Sequence, residues 1–368
     1  MDDYERPLFF HMMAYAAEAD RDVIDMVSGN PDWEPPTALR DGLKTYADGD
    51  VETFQYPPSE GLFELRSAIA ERHAVDIDHV VVTNGAGEAN YLAMATALEA
   101  FDGEGILMAD PVYPYYADRT EMLGATPQFV DSEPDGTVDP AAVRERASEN
   151  TAAIVINSPN NPTGGVYGRE TKRELVAIAE KYDALLVSDE VYERFVNEDG
   201  AFETALSFDS GNVVVTNAFS KSMAITGFRV GYGIYPERLV DAVRTRHMLV
   251  NVAGSRPAQH AVLEALRETP ETYYERNRRL LDERIETFCS ALDAAGAEYT
   301  RPQGGFYVMA RFDGYPGTLE NAERLIDEMG VAGMPGEAFG ESRAEWLRFA
   351  VVTPRAEEAA RRLSAHFE

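Results

Sequence analysis

Lysine is scarce in this chain of 368 residues, which has 29 arginines but only four lysines. Basic residues are also outnumbered: the chain has 33 of them against 64 acidic residues, which gives a formal net charge of −31. Bulk electrostatic attraction to nucleic acid or to an anionic membrane is therefore disfavoured. A local basic pocket remains compatible with this charge.

The excess of arginine over lysine, together with the acidic surplus, resembles the composition of proteins from extremely salt-adapted organisms. A charge of −31 strains a compact fold at low salt, and this repulsion is screened once the Debye length falls to a few Å. We therefore predict a halophilic archaeal source and a stability that depends on salt. An ordinary acidic cytosolic protein is the alternative interpretation.

Cysteine and long apolar runs are also rare. The single cysteine, Cys289, excludes an intramolecular disulfide and a cysteine-based metal cluster, and we expect it to be a small buried apolar residue. The start MDDYERPLFF lacks a basic segment, and no run approaches the ~18 apolar residues that indicate a membrane span. These features predict a soluble cytoplasmic protein with no metal site and no membrane partner.

Short apolar runs alternate with helical patterns through most of the chain. The stretch HVVVTNGAGEANYLAMATAL indicates a strand, a glycine turn and a helix, and similar units follow at ILMAD, AAIVINSPNNPTGG, ALLVSDEVY and NVVVTNAFSK. These runs are rich in β-branched residues and do not alternate in polarity, which is typical of buried strands in a largely parallel sheet. Functional residues then collect at the carboxyl ends of the strands.

The second part of the chain has a different pattern. A long amphipathic helix is predicted from about Pro270 to Gly296, followed by strand patterns in EYTRPQGGFYVMARF and WLRFAVV. We predict an α/β fold with a large domain over residues 36–285. A smaller α+β domain is predicted from residues 1–35 together with 286–368.

Six motifs occur in order along the chain: TNGAGEA, DPVYPYY, NSPNNPTGG, SDEVY, SKSMAITGFRVGY and WLRFA. Taken together they resemble the class I/II aminotransferases, a family of fold type I enzymes that depend on pyridoxal 5′-phosphate. The resemblance covers almost the whole chain. It implies a large domain with a mostly parallel seven-stranded sheet flanked by helices, and an enzyme that moves an amino group from an L-amino acid to a 2-oxo acid by a ping-pong route.

The resemblance assigns the central chemistry to Lys221 and Asp189. The amine of Lys221 matches the residue that forms a Schiff base with the cofactor and later carries a proton from the substrate Cα. Asp189 matches the carboxylate that pairs with the protonated pyridine nitrogen; opposite charges ~4 Å apart at an effective dielectric of ~20 attract by ~4 kcal/mol. Without the resemblance, Lys221 would be interpreted as an ordinary surface lysine and Asp189 as a turn or capping residue at a strand end.

The resemblance also implies the remaining cofactor contacts. Tyr192 and Asn161 match the pair that hydrogen-bonds the cofactor's phenolic oxygen, and Tyr113 matches the aromatic residue that stacks on its ring. On their own, these would be packing or turn residues. The phosphate is expected to lie against backbone amides at a helix start, beside a forked cation. The residues that correspond to this phosphate site are Gly85, Ala86, Gly87, Ser220 and Arg229.

Two features of the phosphate site stand out. Ala218 occupies a position where many relatives carry a phosphate-binding serine, so the site has one donor fewer unless Ser220 compensates. Tyr56, in FQYPPSEGL, matches a tyrosine that reaches across from a neighbouring subunit, which implies a homodimer with shared active sites.

The substrate end is less determined by the sequence. Arg348 matches the arginine that binds the substrate carboxylate, and Gly29 is expected to line the same pocket with Asn161. In many dicarboxylate-specific members of the family, a second arginine from the other subunit reads the distal carboxylate of the substrate. The corresponding segment here, HMLVNVAGSRPAQH, is apolar near Val250, and Arg256 looks out of register with that arginine. The resemblance therefore favours an apolar or aromatic amino donor over aspartate. The aromatic residues Trp33, Phe306 and Tyr307 either shape this pocket or belong to the core.

Two other functions stay open on the motifs alone. A β-lyase that cleaves a carbon–sulfur bond uses the same constellation, because the shared electron sink permits several fates for the substrate carbanion. A non-catalytic module that senses the cofactor is less favoured, because it would need an attached DNA-binding domain for which the motifs leave no room.

Overall fold

The centre of the fold is a seven-stranded sheet, and a separate small sheet lies in the C-terminal part. The computed structural model of the chain describes residues 8–197 and 200–367. The strands are β1 (Ile24–Asp25), β2 (Val80–Thr83), β3 (Gly105–Asp110), β4 (Thr126–Asp131), β5 (Thr151–Asn157), β6 (Leu185–Asp189), β7 (Val213–Ala218), β8 (Gly231–Ile234), β9 (Glu298–Thr300), β10 (Tyr307–Arg311), β11 (Val331–Ala332), β12 (Met334–Pro335) and β13 (Leu347–Ala350).

Helices cover both faces of the central sheet and surround the small one. The α-helices are α1 (Leu8–Glu18), α2 (Thr37–Ala47), α3 (Phe63–His73), α4 (Ala86–Ala100), α5 (Tyr115–Met122), α6 (Pro140–Arg146), α7 (Arg169–Lys181), α8 (Phe219–Ser222), α9 (Glu237–Asn251), α10 (Arg256–Glu268), α11 (Glu271–Ala294), α12 (Leu319–Met329) and α13 (Ala356–Phe367). Short 3₁₀ turns lie at Val51–Phe54, Ile77–His79, Ala205–Phe208, Thr226–Phe228 and Gly336–Ala338.

The central sheet has the strand order β2-β8-β7-β6-β5-β3-β4. Every neighbouring pair is parallel except those made by β8, which runs antiparallel to β2 and β7. The predicted α/β class with a mostly parallel seven-stranded sheet is confirmed. Because β2, β5, β6 and β7 run in the same direction, their carboxyl ends lie at one edge of the sheet.

Burial on both faces explains why the strand sequences lack alternation. In β5, Ala153 and Val155 pack into a core that includes residues of α4 and α9, whereas Ile154 and Ile156 pack into the opposite core with α7. Successive side chains of a strand point to opposite faces, so each strand must be apolar throughout.

The small sheet has the order β12-β13-β10-β9, with antiparallel neighbours. Its core also holds residues from α1, α11, α12 and α13, and β1 pairs in parallel with β11. The N-terminal residues Met12 and Ile24 lie in this core, as does the buried Cys289. The domain boundaries given above stay a prediction.

The described part of the chain lacks two features. Within residues 8–197 and 200–367, no helix is both long and apolar enough to cross a membrane. Over the same ranges, no group of three or more histidine, cysteine, aspartate or glutamate residues could hold a metal ion.

Candidate active site

A cavity of ≈ 300 Å³ lies where the central sheet meets the small sheet. The carboxyl ends of three parallel strands reach it, since Asn157, Asp189 and Ala218 are the last residues of β5, β6 and β7. Most of the predicted site residues line this cavity: Gly29, Ala86, Gly87, Tyr113, Asn161, Asp189, Tyr192, Ser220, Lys221, Arg229 and Arg348. Gly85 lies directly beside it in the chain, and Tyr56 lies outside it.

Lys221 stands on the single turn of α8, which begins directly after β7. Its Nζ donates a hydrogen bond to the carbonyl of Gly29 at 2.6 Å. Burial lowers the pKa of Lys221 to about 8, and the positive charges of Arg348 and Arg229 act in the same direction. A sizeable fraction of this amine is therefore neutral near pH 8, which is the form that acts as a nucleophile or base.

Asp189 is held by three donors. Its Oδ2 accepts hydrogen bonds from the hydroxyl of Tyr116 and from Nδ2 of Asn90, each at 2.6 Å, and its Oδ1 accepts one from the backbone N–H of Val191 at 3.1 Å. Burial raises the pKa of Asp189, and the hydrogen bonds from Tyr116 and Asn90 oppose that rise. The network favours the ionised carboxylate at the base of the cavity.

The orientation of Asn90 is fixed by a further residue. Thr216, on β7, donates its hydroxyl to Oδ1 of Asn90 at 2.6 Å, which leaves the amide nitrogen to face Asp189. Sequence reasoning missed Asn90, Thr216 and Tyr116. Tyr116 lies within DPVYPYY and could have been singled out there, whereas the other two carry no motif signal.

Tyr192 is buried and its hydroxyl lies 3.2 Å from that of Tyr307. Burial raises the pKa of Tyr192, and the neighbouring Tyr307 adds to this effect. Of the three aromatic residues left open by the sequence, Tyr307 lines the cavity, whereas Phe306 lies in the core and Trp33 packs against it. A Cβ at Gly29 would clash with the hydroxyl of Tyr307, so glycine is required there.

Arg348, on β13, is 2% exposed. Its Nη1 donates to Oδ1 of Asn161 at 3.1 Å, its Nη2 donates to the carbonyl of Val27, and its Nε has no partner among the described residues. The guanidinium carbon lies 4.4 Å from the ring centroid of Tyr307. Burial lowers the pKa of Arg348, and a buried cation without an anion is costly, so the site is built to receive one.

Another part of the cavity wall is the turn that begins α4. Gly85 has φ +78°, which favours glycine, and a Cβ there would lie 2.5 Å from Nη2 of Arg229. Arg229 donates to the carbonyls of Thr226 at 2.9 Å and Asn84 at 3.1 Å. Free amides at the start of α4 and this guanidinium together form a site for an anion.

Comparison with known proteins identifies the relatives of this chain. The family model described as "Aminotransferase class I and II" matches residues 21–363. The chain belongs to the class I and II aminotransferase family. The fold class, the aminotransferase activity and the dependence on pyridoxal 5′-phosphate predicted from the motifs are thereby confirmed.

Individual relatives of this aminotransferase agree with that result. The aspartate aminotransferase of Thermotoga maritima is 34% identical over 93% of this chain and 90% of its own length. Aromatic-amino-acid aminotransferase 2 of Thermococcus litoralis is 29% identical over 92% and 89%. The solved structure of the aspartate aminotransferase from Thermus thermophilus with maleate has a TM-score of 0.91 at 28% identity, covering 100% of this chain and 97% of that one.

The chemistry of the cavity fits the cofactor of this aminotransferase family. An aldehyde needs a neutral amine, a pyridine nitrogen needs a buried carboxylate, and a phosphate needs convergent N–H donors. The cavity offers Lys221, Asp189 and the turn at Gly85 for these three groups.

Proposed function

We propose that Lys221, Asp189 and Arg348 are the residues through which this aminotransferase acts. When bound, pyridoxal 5′-phosphate supplies an electron-accepting ring that stabilises negative charge at the substrate Cα. Lys221 holds the cofactor through its amine and then moves a proton from the substrate Cα. Asp189 binds the ring nitrogen, and Tyr192 and Asn161 orient the ring's phenolic oxygen.

One observation carries the role of Lys221. The chain has four lysines, and the other three are held elsewhere: Lys44 pairs with Asp41, Lys172 with Glu190, and Lys181 donates to the hydroxyl of Tyr182. Lys221 alone among them lines the cavity, and its amine has a lowered pKa. Tyr113 lies over the same cavity as an aromatic wall suited to stacking.

Arg348 supports the assignment of the substrate's α-carboxylate. Both Nη atoms of Arg348 donate hydrogen bonds to neutral oxygens. Among the described residues, its Nε has no acceptor and no carboxylate forms an ion pair with its guanidinium. A carboxylate accepting bonds from this fork would satisfy the buried charge. Gly29 and Asn161 complete this end of the cavity.

For the amino donor we propose an aromatic or apolar L-amino acid. The wall near Arg348 is aromatic, with Tyr113, Tyr192 and Tyr307 all lining the cavity. Arg256 binds the carbonyls of Glu52 and Gln55 instead of pointing into the site of its own chain. The names of the relatives cover both aspartate and aromatic amino acids, so a substrate panel is needed to decide between these classes.

We also propose that two copies of the chain form a homodimer with shared active sites. Tyr56 is 85% exposed and lies outside the cavity of its own chain, where the resemblance assigns it to a partner's phosphate site. Tyr56 and Phe54 line one surface pocket with residues 253–257. Other large apolar side chains are exposed a few positions away in the chain from these two segments: Val51, Leu249 and Val252. Exposed apolar patches of this kind mark interfaces.

The test is reduction of the holoenzyme with borohydride, followed by peptide mass spectrometry. We expect the cofactor to be fixed on Lys221 in the wild type and in the control Lys181→Ala, and on no residue in Lys221→Ala. Single-turnover reactions with a panel of amino acids should then yield stoichiometric 2-oxo acid. Attachment at another lysine, or full activity of Lys221→Ala, would refute the assignment.

A further inference from the structure

Arg119 is a cavity residue that none of the roles above uses. It lies on α5, is partly buried, and lines the same cavity as Lys221 and Arg229. Within residues 8–197 and 200–367, its guanidinium makes no hydrogen bond and no ion pair. Its guanidinium carbon lies 5.6 Å from the centroid of the Tyr115 ring, and its charge opposes the rise in the pKa of the buried Asp189. Such a cation is available to an anionic ligand.

The position of Arg119 relative to the helix start is specific. A Cβ at Gly87 would lie 3.0 Å from Nη2 of Arg119, just as a Cβ at Gly85 would lie 2.5 Å from Nη2 of Arg229. One guanidinium therefore lies against each glycine of the turn that begins α4. The backbone amides of this turn and the two arginine forks line the same cavity beside one another.

Position 218 lies next to this turn, because Ala218 pairs with Gly231, the glycine that packs against Gly85. Ala218 lines the cavity with a methyl group, so no hydroxyl is available at the end of β7. We propose that Arg119 is a second phosphate-binding arginine, which supplies the hydrogen bonds that a residue with a hydroxyl at position 218 would make. This inference rests on the proposed function, in which the cavity holds pyridoxal 5′-phosphate on Lys221.

The chemistry that Arg119 recognises is an oxyanion with at least two acceptor oxygens. The cofactor's phosphate is one source, and the distal carboxylate of a dicarboxylic substrate is the other. The phosphate is favoured because Arg119 and Arg229 share the Gly85–Gly87 turn, whereas the buried fork that lacks an anion, Arg348, lies on β13. Arginine binds either anion through two parallel hydrogen bonds.

The experiment measures cofactor affinity instead of turnover. Apo forms of the wild type, Arg119→Gln, Arg119→Lys and the control Arg144→Gln are titrated with pyridoxal 5′-phosphate and, separately, with pyridoxal, at one fixed high salt concentration. Arg144 is a suitable control because it pairs with Glu174 at 2.7 Å on the α6–α7 surface. We expect Arg119→Gln to weaken the phosphate form about 10-fold to 100-fold, the range expected for lost charged hydrogen bonds.

Affinity for pyridoxal should change less than about 2-fold in Arg119→Gln, since that ligand has no phosphate. The double variant Arg119→Gln/Ala218→Ser should recover part of the lost affinity. Arg119→Lys should fall between the wild type and Arg119→Gln, because it keeps the charge and loses the fork. Thermal unfolding of each apo form checks that the fold is intact.

Two results would overturn the proposal. If Arg119→Gln binds pyridoxal 5′-phosphate and pyridoxal as tightly as the wild type does, but has a raised KM for aspartate and glutamate alone, Arg119 binds the substrate's distal carboxylate instead. Unchanged affinity and unchanged KM would remove any anion-binding role. Failure of the proposed function looks different, because the wild type itself would then fix no cofactor on Lys221 under borohydride.

Discussion

Replacing Asn90 with leucine tests whether the buried network below the cavity keeps Asp189 ionised. Asn90 donates one of three hydrogen bonds to this carboxylate, at 2.6 Å, and Thr216 orients it. Burial already raises the pKa of Asp189, so the remaining donors must hold the charge. Leucine has the same branched four-atom side chain and no polar atom, so the change removes the hydrogen bond and leaves no cavity.

The size of the effect follows from the strength of that bond. A hydrogen bond to a charged group contributes about 1.5–3 kcal/mol, which corresponds to about one to two pKa units. We therefore expect the pKa of Asp189 to rise by that amount in Asn90→Leu. In the proposed function the ionised form binds the ring nitrogen, so the acidic limb of kcat/KM should move to higher pH by about one to two units.

The assay is the pH profile of kcat/KM from about pH 5 to pH 10, measured at one salt concentration with saturating cofactor. Thr96→Val is the matched control, because Thr96 is a buried polar residue on the same helix whose hydroxyl has no partner among the described residues. Its acidic limb should coincide with that of the wild type. An acidic limb in Asn90→Leu that also coincides with the wild type would refute the reasoning.

Three further predictions follow from charges in the structure. Covalent capture of the aldehyde cofactor by the apoenzyme should accelerate with rising pH around a midpoint near 8, the pKa of Lys221, because the neutral amine reacts; a stopped-flow midpoint near 10.5 would contradict this. Lys172→Met should destabilise the fold by about 3–5 kcal/mol in urea unfolding, since it leaves the buried Glu190 unpaired, and Lys172→Met/Glu190→Gln should recover much of the loss. The free energy of unfolding should rise between about 0.2 M and about 3 M KCl, because salt screens the net charge of −31; equal stability in dilute buffer would refute the halophilic prediction.

The sequence by itself pointed to the candidate reacting groups of this protein. Lys221, Asp189 and Arg348 could be proposed in advance because six motifs that resemble those of the aminotransferase family occur in order, and the structure brings the three residues to one cavity. The buried strands could also be predicted from the sequence, because a sheet covered on both faces requires runs such as VVVT and LLVSD to be largely apolar.

Only the tertiary structure decided which residues support those groups. Asn90 and Asp189 are 99 positions apart and Thr216 lies 126 positions from Asn90, so no local pattern links them until α4 packs against β6 and β7. In the sequence, Arg119 likewise looks like an ordinary helical arginine; only the fold shows that its guanidinium lies beside Gly87. Side-chain identity fixes what a group can do, whereas long-range packing fixes what it touches, and that second quantity is absent from any short stretch of sequence.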